Sequence, residues 1–173
     1  MPLKKIALIL FALAAGWALF FYPLKVLRMD NTTRGEVSLV RLTPAEHFSV
    51  SYHHSLYEQA VREDFAADAD NNIVLLAVRS NSGAVLQYFG FHDQMQHQPI
   101  EKNLGRIVFR VAAGEAQQLL LRDQVLSFLR FGDHGDRVVM SAADTSFAVY
   151  SIHLALHPPD EIPADTSSPS KSP

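Results

Sequence analysis

The chain has 173 residues, with 15 Lys+Arg against 18 Asp+Glu and a formal net charge of −3. That balance, with no basic run beyond the first 28 positions, leaves no electrostatic footprint for a nucleic-acid partner. The absence of cysteine excludes disulfides, thiolate metal sites and cysteine nucleophiles.

Lys4 and Lys5 precede an uncharged apolar run from Ile6 to Tyr22, closed by Pro23-Leu24-Lys25. Its 17 residues would cover roughly 26 Å as a helix, close to the thickness of a bilayer's hydrocarbon core. A cleaved secretory signal usually has a shorter apolar core ending at a small-x-small site. Ala12-Leu13-Ala14 has that form but lies inside the run, and Trp17, Phe20, Phe21 and Tyr22 follow it like an interfacial aromatic belt. Residues 1–28 are therefore expected to form one N-terminal transmembrane helix, with a cleaved signal as the alternative. Either reading exports the rest of the chain. The basic leader favours a cytoplasmic N-terminus and a C-terminal domain in the periplasm, in a bacterial inner membrane. Ala12 and Gly16 form a small-xxx-small pair suited to packing against another helix; plain lipid exposure is the alternative.

Residues 29–157 form a domain of ordinary single-domain size. Short apolar stretches alternate at period two, notably Phe48 to His54, Val61 to Ala67 and Asn72 to Arg79. Ala84 to Phe91 reads as strand or loop. Arg106 to Ala112, Gln117 to Arg122, Val125 to Phe131, Arg137 to Ala142 and Phe147 to Leu154 complete the series. Asp68 to Asn72, Asp123-Gln124 and Gly132 to Asp136 read as turns. Eight or nine short strands with no convincing helix after the anchor predict an all-β fold, an antiparallel β-sandwich or partly open barrel. The proline-rich, polar stretch 158–173 is expected to be a disordered tail.

One constellation stands out. A hairpin turning at Glu58-Gln59 would place Tyr52 opposite Phe65, Val50 opposite Ala67 and His54 opposite Glu63, all on the inward face. The His54–Glu63 pair would then be a structural pin for the register, a contact site at one end of the sheet, or a catalytic pair. Ser55 is a poor nucleophile for His54, because adjacent strand residues point to opposite faces.

Elsewhere, His92, Asp93 and His97 share one polar segment but lack the geometry of a zinc site, and no metal or cofactor is expected. His153 and His157 would meet on a helix but lie roughly 13 Å apart on the expected strand. His134 reads as a turn residue. No glycine-rich phosphate loop or nucleophile elbow is present, so the chain reads as a non-enzyme.

The run from Phe48 through Tyr52, His54-Ser55 and Val61 to Glu63 and Phe65 resembles the family known as domain of unknown function 1850. Its members have a strand ending in His-Ser, a short turn, and a strand carrying Glu. The likeness covers roughly 36–142. Members commonly have a Gly-Ala-Gly motif after the next strand, which is reduced here to Gly83-Ala84, so a loop contact carries over only to those two residues. The family often accompanies tripartite ATP-independent periplasmic (TRAP) transporters of the TAXI type. The resemblance thus implies a membrane-anchored accessory subunit binding the integral membrane permease or its periplasmic solute receptor. A stand-alone tethered binding or envelope module is the second expectation, and a hydrolase or metal enzyme using His54 and Glu63 the third.

Overall fold

The structure, a computed structural model, describes residues 3–91, 97–114 and 116–158. The expected tail, from residue 159 onward, lies outside the described residues, as do His92 and Asp93 of the polar segment.

Helix α1 spans Leu3–Phe20 and is followed by strand β1, Pro23–Asn31. The strand therefore begins six residues before the expected domain boundary at 29. Pro23, which cannot extend a helix, opens it. The strands that follow are β2 (Glu36–Arg41), β3 (His47–His54), β4 (Gln59–Ala67) and β5 (Ile73–Ser80). After a short helix α2 (Gly83–Tyr88) come β6 (His97–Arg110), β7 (Gln118–Leu121), β8 (Gln124–Ser127) and β9 (Arg137–Ser146). Helix α3 (Phe147–Leu156) closes the described chain.

All nine strands join one antiparallel sheet in the order β2-β1-β9-β6-β5-β4-β3-β7-β8. The sheet curls into a half-barrel, so of the two expected architectures the partly open barrel is the nearer. Its concave face holds a single cluster that includes Leu27, Met29, Phe48, Val50, Phe65, Ile73, Val78, Leu119, Phe128 and Met140, each almost fully buried. Phe48 and Phe65 face each other across β3 and β4, with ring centroids 5.5 Å apart.

Two devices let the sheet curl. Leu76 is an extra residue in β5, because Asp64 pairs with Ala77 while Phe65 pairs with Leu75; such a bulge bends its strand. In the long β6 the register shifts beside Gly105, whose φ of 65° suits glycine. The expected turns at Asp68 to Asn72 and Gly132 to Asp136 lie between strands as read. Gly132 is needed for space, since a Cβ there would lie 2.4 Å from Asn31 Nδ2. The β7–β8 turn is Arg122-Asp123, one residue earlier than expected, with Arg122 at φ 56°.

Ala84 to Phe91, read as strand or loop, and Phe147 to Leu154, read as strand, fall largely in helices. Ser82 caps α2, its Oγ accepting the Val85 N–H, and Ser146 caps α3 by accepting from Val149. Phe128–Arg130, read as the end of a strand, is a single 3₁₀ turn. The helical α3 also corrects the reading of its histidines: the His153 and His157 rings meet, with centroids 4.9 Å apart.

Among the described residues, no helix is long and apolar enough to cross a membrane. The uncharged part of α1, Ile6 to Phe20, is about 22 Å long. Phe21 and Tyr22, counted in the apolar run, lie beyond its last turn. Large apolar side chains lie exposed along the whole of α1, including Leu8, Phe11, Leu13, Trp17 and Leu19.

Candidate functional site

The register of the β3–β4 hairpin decides what the expected site becomes. Its four-residue turn follows His54 directly, with the Glu58 N–H donating to the His54 carbonyl at 2.7 Å and Glu58 at φ 50°. Phe48 therefore faces Phe65, Val50 faces Glu63, Tyr52 faces Val61 and His54 faces Gln59. The expected pairings of His54 with Glu63, Tyr52 with Phe65 and Val50 with Ala67 are wrong by four residues. An even slip keeps every side chain on its own face, so period-two alternation cannot detect it.

His54 and Glu63 accordingly have different partners. The Tyr52 hydroxyl donates to Glu63 Oε1 at 3.0 Å. Burial pushes the Glu63 carboxyl above its usual range, and the Tyr52 hydrogen bond offsets part of that. The Tyr52 phenol is raised by burial first and by the Glu63 charge second.

His54 sits at the hairpin end, 9% exposed. Its Nδ1 accepts the Leu56 N–H at 3.3 Å, so a neutral ring carries its proton on Nε2. Around it stand Tyr57, Tyr88 and Phe89, at centroid distances of 5.2, 4.8 and 6.4 Å. Ser55 is an exposed turn residue, and no described contact joins it to the His54 ring.

The second expected contact, Gly83-Ala84, opens α2. A Cβ at Gly83 would meet open space, so neither backbone nor packing demands glycine there. The role of α2 is different: Val85 and Leu86 bury its inner side, and its C-terminal end delivers Tyr88 and Phe89 onto His54. Of the expected site residues, His54 joins this aromatic end; Glu63 bonds to Tyr52 instead, and Gly83 and Ala84 open the helix whose far end supplies Tyr88 and Phe89. Leu56 and Tyr88 remain exposed there at 69% and 63%. This arrangement can present an apolar, aromatic surface with a polar group behind it. Among the described residues no nucleophilic side chain is hydrogen-bonded to the His54 ring.

A feature that sequence reasoning missed lies on the opposite face of the same hairpin. Asp64, 8% exposed, accepts from Ser49 Oγ at 2.7 Å, Arg62 Nε at 3.1 Å and Arg79 Nε at 2.6 Å. These donors hold its carboxyl below the usual range against the opposing effect of burial. With His47 and Arg122 they line an open groove of about 480 Å³. The signal was available: Ser49, Arg62 and Asp64 all occupy outward positions of the alternation.

Ala12 and Gly16 lie on α1 in a shallow groove lined by that helix's own Leu13, Trp17 and Phe20. A Cβ on Gly16 would meet nothing within 4 Å. Among the described residues no group of three His, Asp or Glu is placed to hold a metal ion.

No family model, curated protein or solved structure matches this chain.

Proposed function

We propose that this protein is a single-pass membrane-anchored accessory subunit of a TAXI-type TRAP transporter, its half-barrel held in the periplasm against the permease or its solute receptor. The observation that carries the anchor is α1, a helix with apolar side chains exposed along its length. It hands the chain into β1 after only Phe21 and Tyr22. In water such a helix costs free energy along its whole surface; in a bilayer that cost vanishes.

The uncharged segment is shorter than a hydrocarbon core of roughly 30 Å. Lys4 and Lys5 offset part of the shortfall, because their stems can run along apolar surface to the headgroups. Local thinning of the bilayer offsets the rest. The transporter itself rests on the resemblance of the His54-Ser55 to Glu63 block. The exposed aromatic end around His54 supplies a surface with the character of an interface, since aromatics are enriched in such contacts. Ala12 and Gly16 offer a flat strip of α1 to a permease helix.

The test is to purify the tagged full-length protein from mild-detergent membranes and identify what accompanies it. Stoichiometric recovery of a permease, lost in an Ala12→Leu, Gly16→Leu double variant or in Tyr88→Ala, would support the accessory role. Recovery of the intact chain alone would leave a tethered module without a transporter.

A further inference from the structure

Helix α3 is apolar on the wrong side. A surface helix normally turns apolar residues inward and polar ones to water. Here Val149, Ile152 and Leu156, spaced three and four apart and so on one face, are 53%, 58% and 71% exposed. The polar His153 points toward the sheet instead, its Nε2 accepting the Leu39 N–H of β2 at 3.1 Å. Its partial burial lowers the imidazole's affinity for a proton, with His157 adding to the effect. Ala148 is the buried residue of the helix, which packs over β9, β1 and β2.

The position of this face is fixed by the anchor. Pro23 pairs with Ser146, and the Phe147 N–H donates to the Tyr22 carbonyl at 2.9 Å. The first turn of α3 therefore starts at the level where α1 ends. Exposed Trp17, Phe20, Phe21 and Tyr22 of the anchor end continue into exposed Phe147 and Val149. An anchor whose uncharged part is shorter than the hydrocarbon core draws its flanking residues toward the acyl boundary. Those flanking residues here include the start of α3.

We infer that α3 is a second membrane-contacting element, its Val149–Ile152–Leu156 face seated in the lipid headgroup–acyl boundary beside the exit of α1. The inference rests on the proposed anchor and adds to it a fixed orientation. One helix alone lets a domain swivel; a second lipid contact, hydrogen-bonded to the anchor's end, restrains it and holds the half-barrel in one pose above the membrane.

The test uses the full chain reconstituted in phosphatidylethanolamine/phosphatidylglycerol vesicles. Trp17 is the single tryptophan and the chain has no cysteine, so both probes are unique. Ile152→Cys, and separately Val149→Cys, would carry a polarity-sensitive fluorophore, with Val125→Cys on β8 as the control. The expected result is quenching of Trp17 by brominated lipid. The label at 152 or 149 should be quenched by shallow spin-labelled lipid at least about twofold more than at 125. Quenched Trp17 with an unquenched, water-like label at both α3 positions would overturn the inference and leave the anchor standing. A blue-shifted label that lipid cannot quench would overturn it too, because protein would then cover the face. Unquenched Trp17 would remove the anchor and the inference together.

Discussion

Glu63 and Asp64 are consecutive carboxylates on β4, and the fold treats them oppositely. Glu63 points into the concave face, where burial raises its pKa and the Tyr52 hydroxyl donates to it. Asp64 points to the convex face and is buried at 8% exposure, yet two guanidiniums and a serine keep its pKa low. Burial alone therefore does not set the direction of the shift; at Asp64 the donors outweigh it. The inner carboxyl is tolerated, and the outer one ties β3, β4 and β5 together.

Four substitutions break or sharpen this contrast. Phe65→Ala, the next position along β4, removes the ring stacked on Phe48 and should cost about 3–5 kcal/mol by denaturant unfolding. It sets the scale of the concave face. Asp64→Asn should cost about 1–2 kcal/mol at pH 7, discounted because Arg62 and Arg79 are half exposed. Its sign follows from a depressed pKa. The stability that Asp64 contributes is present above its unfolded value near 3.8 and is lost as pH falls through the folded value. The variant should therefore lose part of the wild-type slope on the acid side.

Glu63→Gln should act with the opposite sign. A raised pKa means its contribution is fully present below about 4.5 and is lost as pH rises through the folded value. The variant should match the wild type in acid and exceed it at neutral pH, by on the order of 1 kcal/mol. Equal loss at both pH values would show that Glu63 is a structural acceptor. Tyr52→Phe should have the smallest effect on stability. It removes the donor that offsets burial, so the Glu63 carboxyl should titrate at higher pH when followed by carbon NMR.

Much of the fold was legible in the sequence because alternation is a strong signal. Phe48, Val50, Tyr52 and His54 on one side and Ser49, Ser51 and His53 on the other sort as read, and the Asp68 to Asn72 turn is where the polar residues placed it. What alternation cannot convey is register. The hairpin slipped by four residues without moving any side chain to the other face, which separated His54 from Glu63 and gave it Tyr88 instead. The helices were missed for a related reason. Phe147 to Leu156 is apolar nearly throughout, and such a run cannot be told from a buried strand by period. Its capping Ser146, like Ser82 before α2, was the signal that could have found it. The aromatic end around His54 was only half legible, because Tyr88 and Phe89 reach it through a helix read as strand or loop.

The central claim, that α1 holds this domain to a bilayer, is tested most directly by washing membranes from cells expressing the full chain in alkaline carbonate. The account predicts that the protein stays with the membrane pellet at its full length. Its release into the supernatant, intact or shortened at the N-terminus, would contradict that claim.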